Sequence, residues 1–226
     1  MYRKAFLNSN KLDEWVYRSV FYGKITAVSE SKKHRRDAAG RAIMKELTET
    51  VVVSEEIYKG KVVHLFRDTV RLPNGREATR EVIRHNGAVC VVPLTEEGEV
   101  LMVRQYRYPF GRVLLEVPAG KIDPGEAPEN CARRELSEET GASAEVLTYL
   151  GDYYPSVAIL DENIRMYLAK GLTFHESHTD DDEFLQLERI PLEALVSQVL
   201  NGEIPDGKTQ TAILKVWCIE HPTSNQ

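Results

Sequence analysis

From Thr50 onward, short apolar stretches alternate with polar turns in the manner of β-strands. "TVVVSEEIY", "KVVHLFRDTVRL" and "REATREVIRH" are rich in β-branched residues, and the Pro-Asn-Gly at 73–75 provides a hairpin turn. Further strands are predicted in "GAVCVVPL", "GEVLMVRQYRY", "VLLEVPA", "EVLTYLGDYY", "NIRMYLAKGL" and "DEFLQLERIPL". Apolar residues at helical spacing predict helices at about 126–140, 191–200 and 208–220. Because strands outnumber helices and do not alternate with them, we predict an α+β fold with a mixed sheet.

Residues 1–46 form a basic, aromatic N-terminal arm whose role the sequence leaves open. The arm carries eleven Lys/Arg against five Asp/Glu, whereas the whole 226-residue chain carries 29 against 35, a net charge of -6. Apolar spacing at 12–20 favours a helix packed on the main domain. Nucleic-acid binding is the alternative for this arm, because its basic and aromatic residues interleave.

The lengths of the apolar runs predict a soluble, cytoplasmic protein. The longest run, 87–94, is too short to span a bilayer, and the first fifteen residues lack the apolar region of a signal peptide. Cys90, Cys131 and Cys218 fit no disulfide or zinc spacing, so we expect three reduced and mostly buried thiols.

The stretch "GKIDPGEAPENCARRELSEETGA" at 120–142 places several glutamates on a predicted helix. At 100° per residue, Glu135, Glu138 and Glu139 share one face. Like charges at this spacing repel unless a cation lies among them, and Arg133 and Arg134 are near enough to compensate in part. Taken alone, such a cluster is most often a solvated helix face.

The complete spacing of this stretch resembles the signature of the Nudix hydrolase family. The matching positions are Gly120, Glu126, Arg134, Glu135, Leu136, Glu138, Glu139 and Gly141, followed by Ala142 where the family prefers a bulky aliphatic residue. The resemblance implies a Nudix-type mixed β-sheet sandwiched by helices, preceded by a small antiparallel N-terminal sheet. It also implies cleavage of a diphosphate that joins a nucleoside to another group. Glu126 and Arg134 would form an internal ion pair, and Gly120 would let the loop turn where a side chain would obstruct.

The resemblance further implies that the glutamate face binds a divalent cation, Mg²⁺ or alternatively Mn²⁺. Carboxylates are the hard oxygen ligands that Mg²⁺ prefers. Glu135 and Glu139 match the direct ligands, with Glu138 as an additional one and the carbonyl of Ala119 as another. A metal ion there would relieve the charge repulsion and lower the pKa of a bound water molecule.

The flanking segments "REVIRHNGAVCVVPL", "VRQYRYPFGRVLLEVPAGKID" and "YYPSVAILDE" resemble the ADP-ribose pyrophosphatase branch of the family, as does the position of Pro155. The resemblance covers residues ~48–220 and implies three segments. These are the arm of unknown role at 1–46, N-terminal antiparallel strands at 47–86 and a Nudix hydrolase domain at 87–222. In that branch the N-terminal strands form a homodimer and contribute to the partner's substrate site.

Several substrate contacts follow from the same resemblance. Arg80 and Arg107 match arginines that bind the substrate, which suits the guanidinium because it donates to phosphate in bidentate fashion. A cross-strand ion pair is the alternative for Arg80. Glu162 matches a glutamate that contacts the substrate or its metal. Asp181, in the acidic loop "TDDDEF", matches the catalytic base, with Asp182 and Glu183 as alternatives and a solvated acidic turn as the other interpretation.

Two departures from the family pattern leave the substrate open. Val157 and Ala158 stand where a Pro-Gly pair is usual, and Lys61, with Tyr58 nearby, stands where several members have an aromatic residue that stacks on adenine. An aromatic face contributes roughly 1–3 kcal/mol to base stacking in nucleic-acid sites. Another nucleoside diphosphate sugar therefore competes with ADP-ribose as the substrate.

Two other functions are compatible with parts of the sequence. "GEIPDGKT" at 202–209 fits the P-loop pattern of an ATPase, but helical periodicity precedes it and too little chain follows. We interpret it as a joint between two helices, with Asp206 or Thr209 near a helix cap. The other alternative is a Nudix-type nucleotide sensor with a nucleic-acid-binding arm. Retention of all three glutamates favours catalysis.

Overall fold

The computed structural model describes residues 47–175 and 184–222, which form ten strands, three α-helices and one 3₁₀ turn. The strands are β1 (Thr50–Lys59), β2 (His64–Arg71), β3 (Glu77–Arg84), β4 (Ala88–Pro93), β5 (Glu99–Arg107), β6 (Arg112–Glu116), β7 (Ala119–Lys121), β8 (Ala142–Tyr153), β9 (Ile164–Phe174) and β10 (Leu185–Pro191). The 3₁₀ turn is Tyr108–Phe110, and the helices are α1 (Pro128–Thr140), α2 (Leu192–Leu200) and α3 (Gly207–Glu220). The arm at 1–46 lies outside the described residues.

The strands form three sheets, in the orders β1-β2-β3, β10-β5-β6 and β7-β4-β9-β8. In the four-stranded sheet, β4 and β9 run parallel, whereas β7 and β8 pair antiparallel with their neighbours. The second sheet is antiparallel throughout. The predicted α+β fold, with a mixed sheet and a small antiparallel N-terminal sheet, is confirmed.

Strand β4 shows why helices cover both faces of the mixed sheet. All six of its residues are buried. Cys90 and Val92 belong to a cluster that includes Leu195 of α2 and Ile213 of α3. Val89, on the other face, packs in a second cluster with apolar residues of α1. Successive side chains of a strand point to opposite faces, so a strand buried on both faces is an unbroken apolar run.

Within the described residues, positions 47–50 and 71–76 belong to a separate compact unit from the rest of the chain. Residues 71–76 form the hairpin turn predicted at Pro-Asn-Gly. Within it, the Leu72 N–H donates to Arg76 O and the Gly75 N–H donates to Leu72 O. Gly75 has a φ of 82°, which a glycine adopts without strain.

The segment at 202–209 joins two helices, as predicted. It follows α2 and leads into α3, with Asp206 as the N-cap of α3, so the strand that a P-loop requires does not precede it. No helix in the described part of the chain is long and apolar enough to cross a membrane. All three cysteines are free, and only Cys218 is exposed.

Candidate active site

The two ends of α1 fix the direction of its glutamate face. Pro128 stands in the first turn, where its missing N–H has no helical partner to lose. Gly141 ends the helix in the left-handed region at a φ of 64°, and its N–H donates to Ser137 O. Leu136 is fully buried in the cluster that α1 shares with β4. With the helix anchored in this way, its signature glutamates lie beside β7.

Arg134 lies among the carboxylates of the signature and holds them together. Its Nε and Nη2 atoms donate to the two carboxylate oxygens of Glu126, each at 3.0 Å. Its Nη1 atom donates to Glu135 at 2.8 Å and to Glu138 at 2.9 Å. The hydrogen bonds from Arg134 lower the pKa of Glu126 to about 2. The guanidinium thus supplies the cation that the crowded helix face requires.

Strand β7 lies against the glutamate face of the helix at its central residue, Gly120. A β-carbon on Gly120 would overlap the carboxylate of Glu135. The φ of Gly120 is not positive, so the close approach of Glu135, and not a left-handed backbone, disfavours a side chain here. One residue earlier, the Ala119 N–H donates to Glu139 at 3.2 Å. The backbone of β7 and the side chains of Glu135 and Glu139 therefore fix one another's positions.

The donor set of this cluster fits a divalent cation. Glu126, Glu135, Glu138 and Glu139 contribute four formal negative charges, against one positive charge from Arg134. Carboxylate and backbone oxygens are the ligands that Mg²⁺ takes. Among the described residues no three acidic, histidine or cysteine side chains are grouped as a ready-made metal site. The cluster therefore has the chemistry of such a site, with a guanidinium lying between its carboxylates.

The glutamate face opens onto a cleft of about 840 Å³. The polar residues that line the cleft include Lys61, Gln105, Arg107, Lys121, Asp123, Arg134, Glu135, Glu138, Glu162, Asp206 and Lys208. Tyr153, Pro155 and the backbone at 119–120 also line it. A volume of this size accommodates a small-molecule ligand. Five of the lining side chains are basic and five are acidic, so the cleft offers both guanidinium donors for phosphate and carboxylate ligands for a cation.

Arg107 reaches the cleft from the end of β5 and is held by Glu116 of β6. Its Nε and Nη2 atoms donate to the two oxygens of Glu116, each at 2.7 Å. Lys208 also donates to Glu116. Burial alone would raise the pKa of Glu116, but the hydrogen bonds from Arg107 and the charge of Lys208 outweigh it and lower the pKa to about 2. Glu116 is therefore a buried carboxylate anion between two cations.

The depressed pKa of Glu116 predicts part of the protein's acid sensitivity. Its contribution to the free energy of unfolding is present above about pH 4.5 and is lost as the pH falls towards about 2, an effect on the order of 3 kcal/mol. We expect Glu116→Gln to flatten the dependence of the unfolding free energy on pH in this window. Urea unfolding at several pH values measures it, with Glu129→Gln as an exposed control. Equal slopes in wild type and Glu116→Gln would contradict this assignment.

The structure brings some of the other predicted residues into the cleft and leaves others elsewhere. Glu162 lines the cleft and lies 3.6 Å from Nδ1 of His85. Arg80 is exposed on β3, where it donates to Thr79 O, and it does not line the cleft formed by the described residues. Lys61 does line it, whereas Val157 is 82 % exposed. Asp181, Asp182 and Glu183 lie outside the described residues.

Sequence reasoning missed three residues of this site. Glu116 belonged to the predicted strand "VLLEVPA" without a role, and Asp206 and Lys208 belonged to the segment that resembles a P-loop. Two sequence features could have identified them. Glu116 is a glutamate within an apolar strand, and Lys208 is a lysine two residues after the helix cap Asp206. Both are charges that a fold buries only when they are paired.

Two family models match the chain. The model described as "NUDIX domain" matches residues 84–210, and the model described as "Nucleoside diphosphate sugar hydrolase N-terminal domain" matches residues 49–83. The first match covers more than half of the chain. Together the two models span the N-terminal sheet, the glutamate helix and the cleft.

Comparison with individual proteins gives the same family. An "ADP-ribose pyrophosphatase" of Bacillus subtilis (strain 168) is 42% identical over 172 residues, covering 75% of this chain and 93% of the relative. A "Methanol dehydrogenase activator" of Bacillus methanolicus is 41% identical over 167 residues, covering 73% and 90%. A solved "ADP compounds hydrolase" shares the fold with a TM-score of 0.68 at 24% identity, covering 77% of this chain and 96% of that one. On these matches, the chain belongs to the Nudix family.

Proposed function

We propose that this protein hydrolyses the diphosphate bond of ADP-ribose, or of a related nucleoside diphosphate sugar, to a nucleoside monophosphate and a sugar phosphate. The proposal rests on one observation: glutamates of the signature and basic side chains line the same cleft. Glu135 and Glu138 of the signature helix line the same cleft as Arg107 and Lys208. An acidic cluster that suits a divalent cation thus lies beside the Arg107 guanidinium, which suits phosphate.

Nudix hydrolases generally use divalent metal ions. For this chain we propose Mg²⁺, with Mn²⁺ as a substitute, held by Glu135, Glu139, Glu138 and the carbonyl of Ala119. A bound ion would neutralise the diphosphate and lower the pKa of a water molecule. The chain's own residues orient the substrate, because a guanidinium donates two parallel hydrogen bonds to a phosphate group. Arg107 has this role in the proposal.

Proton transfer and substrate orientation involve further residues. Glu162, which lines the same cleft, would accept a proton from the attacking water or help to bind the metal. Asp181 is the other candidate base, with Asp182 and Glu183 as its alternatives. Tyr153 offers an aromatic ring in the cleft. Lys61 would contact a polar group of the nucleotide rather than stack on its base.

We further propose that the protein is a cytoplasmic homodimer built through its N-terminal strands at 47–86, with the hydrolase domain at 87–222. Strand β1 supports this proposal. All ten of its residues are exposed, although Val51, Val53 and Tyr58 are apolar or aromatic. An exposed apolar strand is a surface that other proteins cover. In such a dimer, Arg80 would act in the partner's cleft, in line with its position outside its own.

A substrate panel tests the proposed function. The full chain is incubated with ADP-ribose, ADP-glucose, UDP-glucose and GDP-mannose in the presence of Mg²⁺, and products are identified by mass. We expect a nucleoside monophosphate and a sugar phosphate from at least one compound, and loss of products when a chelator removes the metal. Formation of no monophosphate from any compound, with either Mg²⁺ or Mn²⁺, would refute the proposal.

A further inference from the structure

The joint between α2 and α3 is tied to the cleft by hydrogen bonds. The Asp206 carboxylate accepts from the Thr209 N–H at 3.0 Å and from the Thr209 hydroxyl at 2.5 Å. The Thr209 hydroxyl accepts in turn from the Val117 N–H at 3.0 Å, just after β6. This turn therefore has a fixed position beside the strand that carries Glu116. The Nudix signature does not include it.

Lys208, between Asp206 and Thr209 in sequence, points its ammonium group into the charged wall of the cleft. It pairs with Asp206 at 3.0 Å and with Glu116, and the residue is only 9% exposed. Glu116 in turn holds Arg107. Asp206, Lys208, Glu116 and Arg107 form a row of alternating charges with a formal net charge of zero, and we name this row the four-charge network.

We propose that Lys208 is a positioning residue that neutralises Glu116 and thereby keeps the charge of Arg107 available to the substrate diphosphate. The inference rests on the proposed function. Without Lys208, Glu116 would be balanced by Arg107 alone, and an arginine whose charge is offset by a buried carboxylate attracts phosphate weakly. Lys208 acts through Glu116 and Arg107, so we do not assign it a step in bond cleavage.

Variants that change the net charge of the four-charge network in opposite directions distinguish this role from a merely structural one. Lys208→Met gives the four-charge network a net charge of -1, whereas Asp206→Asn gives it +1. Asn and Asp are about equally good helix N-caps, so the second variant retains the joint. We expect Lys208→Met to raise KM about 30-fold or more and Asp206→Asn to lower it, with kcat within about twofold of wild type in both.

Lys215 provides the matched control on the same helix. Its ammonium donates to Leu150 O at 2.6 Å, and it does not line the cleft of the described residues. Lys215→Met removes an anchored ammonium from α3 without changing the four-charge network. Its KM should equal that of wild type, even if its melting temperature falls.

A spectroscopic measurement reports the position of Arg107 without any substrate. The Arg107 Nε–H donates to Glu116, and its NMR signal can be assigned by its absence in Arg107→Lys. We expect this signal to shift in Lys208→Met and to stay in place in Lys215→Met. If Lys208→Met fails to fold, Asp206→Asn still tests the sign of the KM change.

The outcomes distinguish the inference from the proposed function. Opposite KM changes in Lys208→Met and Asp206→Asn, with a shifted Arg107 signal, support the positioning role. KM changes of the same sign, or none, overturn it while wild-type turnover stands. If the wild type hydrolyses no nucleotide sugar, the proposed function fails, and the Arg107 signal alone then decides whether Lys208 positions Arg107.

Discussion

Glu139→Gln is expected to lower kcat by about 1000-fold and to leave the fold intact. Glu139 is buried on the signature face of α1 and accepts a hydrogen bond from the Ala119 N–H. Glutamine has the same size, and its carbonyl oxygen can accept the same hydrogen bond. The substitution therefore removes one negative charge from the proposed metal site, which weakens a cation's contribution to charge stabilisation by several kcal/mol.

A second glutamate on α1 provides the control for this experiment. Glu129 lies in the first turn and pairs with Arg133 at 3.1 Å on the exposed side of the helix. Glu129→Gln removes the same charge from the same helix, and its kcat should match that of wild type. Steady-state kinetics with a substrate from the panel measures both variants. A Glu139→Gln protein with near wild-type turnover would show that this carboxylate has no part in catalysis.

Gly120→Ala is expected to lower kcat/KM by about 100-fold, because the new methyl group must displace the Glu135 carboxylate. The backbone at Gly120 accepts any residue, since its φ is not positive. The only change is therefore the position of a flexible carboxylate that the methyl group would overlap. A displacement of roughly 1 Å in an active site costs on the order of 100-fold in rate.

Gly98→Ala serves as the comparison, because it should lower stability and leave activity unchanged. Gly98 has a φ of 80°, and a β-carbon at this position would have no neighbouring atom within 4 Å, so alanine there is strained without touching the cleft. We expect it to lower the free energy of unfolding by about 1–2 kcal/mol and to leave kcat/KM unchanged. If Gly120→Ala retained full activity, the contact between β7 and Glu135 would have no functional role.

Most strands and helices could be predicted because each of them depends on residues that are close together in the sequence. The unbroken apolar run of β4 follows from burial on both of its faces, and the left-handed φ of Gly141 follows from the end of α1. The signature glutamates could be found for the same reason, since their spacing places them on one helical face.

The remaining features depend on contacts between residues distant in sequence. Glu116 and Lys208 are 92 positions apart, and no periodicity relates them. Likewise, the family resemblance implied the pair of Arg134 with Glu126, but only the folded loop shows the same guanidinium bonded to Glu135 as well. Arg80 could be placed on a strand, whereas its role in the proposed dimer depends on a second copy of the chain.

Metal binding in the presence of a substrate analogue tests the central claim most directly. Titration of the full chain with Mn²⁺ and ADP, followed by the paramagnetic signal of free Mn²⁺, counts the ions that the protein retains once the same titration of ADP without protein has been subtracted. We expect uptake of Mn²⁺ by the wild type and a marked loss of uptake in a Glu135→Gln/Glu139→Gln double variant. Equal uptake by both proteins, or none by the wild type, would contradict the assignment of the α1 glutamates to a divalent cation.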